Sequence, residues 1–166
     1  MANAARGLGG CLLTALVLAA LVGAPGLYYA LKLDKANGLL EESQSSLERA
    51  ASNSLLAAAD SLEAAARSGC RGPQAGSALK AAAHASQAAA RALEGYASNS
   101  RTPEHERLAA AAAALASTLE GLAESGCGSL TPASLEEAAS HLRSAASLTG
   151  DAAGELEAAA RSLGAG

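Results

Sequence analysis

Two cysteines lie at matching places in a duplicated sequence, and their spacing points to a defined chemistry. Cys70 ends the stretch SLEAAARSGC at residues 61–70, and Cys127 ends TLEGLAESGC at residues 118–127, an offset of 57 in a chain of 166 residues. The same offset superimposes a serine pair and a histidine pair, Ser77 with Ser134 and His84 with His141. With alanine discounted, these identities indicate an internal repeat in which each copy is a helix, a Gly-Cys turn and a second helix.

The repeat predicts that the two cysteines meet. In an up-down-up-down bundle, the turns after the first and third helices lie at the same end, and Cys70 and Cys127 occupy those turns. A disulfide that closes so long a loop stabilises a fold by roughly 4 kcal/mol on the loop-entropy model. We predict an intrachain Cys70–Cys127 disulfide, with an interchain bond and free thiols as the alternatives. Cys11 is predicted to be a buried thiol in the N-terminal apolar segment.

The histidines form no pattern for metal binding or catalysis. A zinc site needs about four Cys or His ligands at short spacing, and no histidine lies three or four residues from another. The chain contains three of them, His84, His105 and His141. The first and last are predicted to be solvated, and no haem-attachment, phosphate-binding or hydrolase motif occurs. We therefore predict no enzyme activity, no catalytic residues, no cofactor and no metal.

The composition requires helices to position these residues. The chain holds 47 Ala, 27 Leu and 17 Gly but only two Val and no Ile, Phe or Trp. Because β-sheets draw on β-branched and aromatic side chains, little material for strands remains. We predict an all-α chain with a thin core.

Turn and capping residues divide the chain into four helices after the N-terminal segment. Gly69 and Gly126 are typical of helix C-terminal ends, and Thr102-Pro103 and Thr131-Pro132 are typical of helix starts. The predicted helices cover residues 39–68, 77–98, 103–125 and 132–163.

The spacing of leucine predicts how these helices pack. In the third helix, large and small apolar residues alternate by four and three: Leu108, Ala112, Leu115, Leu119 and Leu122. In the fourth, one heptad position holds Leu135, Leu142, Leu156 and Leu163, and another holds Ala139, Ala146, Ala153 and Ala160. Such Ala/Leu seams predict a tight antiparallel four-helix bundle over residues 34–166, made of the hairpins 39–98 and 103–163. It would leave little room for a ligand cavity, and a kink or break at Thr149-Gly150-Asp151 is expected.

The first 33 residues are predicted to anchor the chain in a membrane. Residues 7–31 are 25 residues without a charge, about 37 Å of helix, which exceeds a hydrocarbon core of about 30 Å. Tyr28-Tyr29 and Lys32 resemble the aromatic and basic belt of a membrane surface. The alternatives are a cleaved secretory signal, which would leave the bundle secreted, and a buried helix.

The anchor and the disulfide together predict the compartment. Disulfides persist in oxidising spaces, so we expect the body outside the cytoplasm, in a periplasm, at a cell surface or in a lumen. The basic charges on the two sides of the segment nearly balance, so the positive-inside rule does not determine the orientation. The predicted orientation, with the N-terminus inside, therefore rests on the cysteines.

The charge of the body argues against nucleic acid as a partner. Without Arg6 and Lys32 it carries 10 Lys and Arg against 16 Asp and Glu, with one aromatic residue for stacking. Arg67 and Arg71 flank Cys70 at the predicted tip. They suit either charge pairing with the helix end or a docking patch for an acidic partner.

These features favour a non-enzymatic, single-pass membrane protein whose extracytoplasmic bundle is a scaffold, spacer or protein-docking module. A homo-oligomer is compatible with the same features. The alternative is a sensory or ligand-binding bundle, because an anchor followed by four antiparallel helices resembles the periplasmic input domain of bacterial chemoreceptors. That resemblance is architectural, and it implies a partner that supplies the output.

Overall fold

The computed structural model describes residues 4–128 and 130–164, with side chains described from residue 32 onward. Every regular element in these ranges is a helix, which confirms the all-α prediction. The helices are α1 (Ala4–Arg67), α2 (Gly72–Ser100), α3 (Pro103–Ser125), α4 (Pro132–Ala145) and α5 (Ala152–Gly164).

The chain divides into two compact units, Met1–Glu42 and Ser43–Gly166. In the first, the described side chains belong to α1 and are exposed, including three leucines, Leu33, Leu39 and Leu40. The predicted transmembrane segment at residues 7–31 lies outside the residues whose side chains are described. Across the described part of the chain, no helix combines the length and apolar character needed to cross a membrane.

The second unit is a helical bundle whose helix ends follow local capping chemistry. α3 begins and ends where the sequence predicted, and the Thr102 hydroxyl accepts a hydrogen bond of 3.4 Å from the His105 N–H. At the start of α4, Thr131 and Ser134 each accept a hydrogen bond from the other's backbone N–H, which is a capping box. α2 begins at Gly72, five residues before the predicted start, because Pro73 suits the first turn of a helix.

The prediction of one fourth helix, 132–163, is wrong, but the break expected at Thr149-Gly150-Asp151 is present: the chain reverses there and forms two helices. α4 ends at Ala145, and Leu148 and Gly150 take left-handed conformations with φ of 53° and 64°. His141 Nδ1 then lies 2.6 Å from a carboxylate oxygen of Glu155. Fourteen residues within one helix would span about 21 Å, so the contact requires α5 to fold back along α4. The unit is a five-helix bundle rather than the predicted up-down-up-down arrangement of four.

The helices pack as a ring of neighbours. α2 packs on α3, α3 on α5 and α5 on α4. α1 lies beside α2, where Leu47 is 3.4 Å from the position that a Cβ on Gly95 would take. It also lies beside α4, where Arg143 contacts Asp60 and Glu63. These contacts position both Gly-Cys turns at one end of the bundle.

Leucine and alanine fill one continuous core. The predicted leucine positions of α4 and α5 are confirmed, because all four heptad leucines are buried, with exposures of 2% or less, whereas Leu122 and Ala160 of the predicted seams are only partly buried. Among the described side chains, the buried leucines are Leu55, Leu62, Leu79, Leu93, Leu108, Leu115, Leu119, Leu135, Leu142, Leu156 and Leu163. Because an alanine side chain buries little apolar area, helix propensity supplies much of the stability of such a bundle.

Candidate functional site

The two Gly-Cys turns meet at one end of the bundle. Cys70 and Cys127 are joined as a disulfide, with their Cα atoms 5.8 Å apart, a usual separation for that bond. Gly69 and Gly126 both have positive φ, 63° and 77°, a backbone conformation that glycine adopts without steric cost. The placement of the predicted cysteine pair is therefore confirmed, and we call this end of the bundle the disulfide end.

Backbone hydrogen bonds hold each cysteine in its turn. The N–H of Cys70 donates to the carbonyl of Ala65 at 3.2 Å, and that of Gly69 donates to Ala66 at 2.8 Å. In the other turn, the Gly126 N–H donates to Leu122 at 2.8 Å. These bonds satisfy the carbonyls that a helix leaves open at its C-terminal end. Both cysteines are half-buried against the core, so the bond continues the packing of the bundle.

The two arginines predicted as a docking tip lie at the disulfide end. Arg67 is the last residue of α1, and Arg71 immediately precedes α2; both are exposed. Arg67 lies four residues after Glu63, and its charge helps to lower the pKa of that carboxyl. Arg71 occupies the N-cap position of α2 and makes no side-chain capping bond there. The docking role of the pair remains a prediction.

An ion-pair cluster that joins α1 to α4 was not foreseen. Arg143 donates to Glu63 and, at 2.8 Å, to Asp60. The hydrogen bond from Arg143 is the main cause of the lowered pKa of Glu63. No sequence signal links residues about 80 positions apart, so this contact emerges only from packing.

The prediction that His141 is solvated is wrong. Its ring is half-buried and pairs with Glu155 across the α4–α5 hairpin. The partner could not be recognised because the two residues were assigned to a single helix. By contrast, His84 is exposed, as predicted.

His105 lies in a small polar cluster where α2 turns into α3. Its Nδ1 atom is 2.6 Å from the Ser100 hydroxyl and 2.7 Å from the Thr102 hydroxyl. Its ring meets Tyr96 edge to face, with centroids 4.5 Å apart. A hydrogen bond with the Glu48 carboxylate raises the pKa of the Tyr96 phenol, because the bond needs the phenolic proton. A hydroxyl beside an imidazole is used in nucleophilic catalysis, but here two hydroxyls share one nitrogen at the start of a helix, which is a capping arrangement.

Two surface grooves follow one another along the outer face of α2 and α3. One, of about 540 Å³, has Lys80, His84 and Gln87 on one side and Glu120 and Glu124 on the other. The second, of about 530 Å³, lies nearer the α2–α3 turn; its lining is Glu94, Ala97, Ser98, Arg101, Glu106 and Ala109. The described residues contain no group of three side chains placed to hold a metal ion.

No family model, no curated protein and no solved structure matches the chain.

Proposed function

We propose that the chain is a non-enzymatic, single-pass membrane protein whose helical bundle lies outside the cytoplasm and acts as a scaffold, spacer or docking module for a protein partner. The observation that carries the proposal is the Cys70–Cys127 pair, joined between two turns of a thin Ala/Leu bundle. Such a bond persists in oxidising compartments and is rare in the cytosol.

Two features support the membrane-anchored part of the proposal. Residues 7–31 carry no charge and are long enough, as a helix, to cross a bilayer. Leu33, Leu39 and Leu40 follow this segment with side chains that are 62%, 60% and 53% exposed. Exposed leucines beside an uncharged segment suit a membrane surface better than bulk water.

The form of the bundle supports a structural rather than a chemical role. Several of its polar side chains have structural roles: Thr131 and Ser134 close a capping box, and Arg143 links α1 to α4. A covalently closed, helical body of this kind holds its shape while a partner docks on it, and exposed Arg67 and Arg71 offer positive charge for an acidic partner.

The test combines alkaline extraction with thiol labelling of the full chain in membranes from its native host. We expect the chain to stay with the membranes at high pH, and Cys70 and Cys127 to react with a maleimide polymer only after reduction. The matched control is Cys70→Ser, which leaves Cys127 without its partner and must allow its labelling in unreduced membranes. Release at high pH would contradict the anchor, and labelling of both cysteines without reduction would contradict the oxidising compartment.

A further inference from the structure

The outer face of the α2–α3 hairpin carries the two grooves described above. On this face, basic groups lie on α2 and acidic groups lie on α3. The α2 side presents basic groups, Lys80, His84, Arg91 and Arg101, and the α3 side presents acidic ones, Glu106, Glu120 and Glu124. Alanines form the floor between them, Ala83 and Ala123 in one groove and Ala97 and Ala109 in the other.

Opposite charges stand at the same level across these grooves. Lys80 and His84 share a groove with Glu120 and Glu124, and α2 and α3 run antiparallel through the short turn that joins them. None of these seven ionisable groups makes an ion pair with a described residue. On other faces of the bundle, by contrast, Arg107 and Arg143 are paired with carboxylates inside the chain.

One residue departs from the sorting. Glu94 lies on the α2 side of the second groove. It is three residues from Arg91, a spacing at which two side chains are neighbours on one helix. The charges of Arg91 and Glu94 therefore offset each other locally, and the remaining groups are basic on α2 and acidic on α3.

We infer that this face binds a second copy of the chain, by a two-fold axis parallel to the helices. Such an axis places α2 of one copy on α3 of the other. The two helices run antiparallel, and they meet in the same register as α2 and α3 within one chain. Lys80 then faces Glu124 of the second copy, and His84 faces Glu120. Because the interface is isologous, each favourable pair forms twice. The small alanine floors let the helices approach closely, which a leucine-covered face would prevent.

The size of the face is that of a weak interface. α3 has 23 residues, so the hairpin face is about 34 Å long, and two neighbouring helices are about 18 Å wide. The footprint is roughly 600 Å² per copy, below the roughly 800 Å² of a standard stable interface. We therefore expect a monomer–dimer equilibrium in the micromolar range in dilute solution, shifted toward the dimer wherever the chains are held close together.

The arrangement does not depend on the membrane anchor, although it is compatible with one. A two-fold axis parallel to the helices leaves the start of the bundle, Ser43, at the same end in both copies. The two bundles of such a dimer therefore begin at the same end.

Disulfide trapping between differently substituted chains tests the geometry. We would mix full-length Gln87→Cys chains with Ser117→Cys chains in detergent, both carrying Cys11→Ser, because these two positions face each other across the inferred interface. A cross-linked dimer should form in the mixture and not in either variant alone. The matched control mixes Ala57→Cys with Ser140→Cys, exposed positions on α1 and α4, and should give no dimer.

Charge reversal tests the energetics on the same chain. Lys80→Glu alone and Glu124→Lys alone should each raise the dimer dissociation constant about tenfold, because each creates two repulsive pairs, and the double reversal should restore it. Helix content and melting temperature, measured in parallel, show that the variants fold. A monomer at all accessible concentrations, cross-linking of Gln87→Cys to itself, or no rescue by the double reversal would overturn the inference.

Discussion

Removing the disulfide should cost this bundle an unusually large share of its stability. The bond closes a loop of 57 residues between Cys70 and Cys127. In the loop-entropy model, a loop of that length constrains the unfolded chain by about 4 kcal/mol. A domain of this size has a total stability on the order of 5–15 kcal/mol, and a core of alanine and leucine lies toward the lower end.

The expected change in melting temperature follows from the size of the folded unit. The unit Ser43–Gly166 unfolds with an entropy of about 2.1 cal/mol/K per residue, or roughly 0.25 kcal/mol/K in total. Loss of about 4 kcal/mol should therefore lower the melting temperature by about 15 °C. The substitution Cys70→Ala with Cys127→Ala removes the bond without leaving an unpaired thiol at the disulfide end.

The assay is thermal unfolding of the full chain, followed by circular dichroism at 222 nm. Wild-type protein treated with a thiol reductant should melt near the double variant, and Cys11→Ser should melt with the untreated wild type. A change of less than about 3 °C on removing the bond would refute the reasoning, because the loop would then contribute no constraint on the unfolded state.

Three further substitutions test local features of the bundle by the same melting assay. Ser86→Ala should stabilise it by about 1 kcal/mol, because the buried Ser86 hydroxyl has no hydrogen-bond partner among the described residues; a loss of stability would show that the hydroxyl is satisfied. Asp151→Ala should destabilise it by about 1 kcal/mol, because the Asp151 carboxylate accepts the Gly154 N–H at 3.1 Å and caps α5; unchanged melting would contradict that role. Arg143→Gln should lower the stability at neutral pH. This loss should shrink as the pH falls from 4.5 through the lower folded-state pKa of Glu63, because the Arg143–Glu63 pair stabilises the fold only while the carboxyl is ionised. A loss of stability that does not depend on pH would contradict the pairing.

Local signals in the sequence were sufficient to place most helix ends. Thr102-Pro103 starts α3 and Gly126 ends it, because capping and left-handed conformations depend on neighbouring residues alone. The meeting of Cys70 and Cys127 was also predictable, since the repeat places both in equivalent turns.

The reversal between α4 and α5 was hidden by the spacing of leucine. Leu142 and Leu156 are 14 residues apart, two whole heptads, so a continuous helix and a hairpin bury the same residues. The turn residues at 149–151 marked a weak point, but periodicity alone cannot distinguish a kink from a reversal. Contacts such as His141 with Glu155 depend on that choice and could not be predicted.

The sequence contains the basic residues of α2 and the acidic residues of α3, but it does not show that they share one outer face. Lys80 and Glu124 are 44 positions apart, and their common level depends on the register of the hairpin. That register is set by how the two helices pack in three dimensions.

The disulfide also determines how the bundle would respond to mechanical force. Tension applied along the chain from α1 toward α4 passes through the sulfur–sulfur bond and bypasses the 57-residue segment that contains α2 and α3. That segment would otherwise lengthen by about 200 Å when stretched to full extension. Under load, the α2–α3 hairpin is therefore shielded, and only the flanking helices can be pulled out until the bond is reduced.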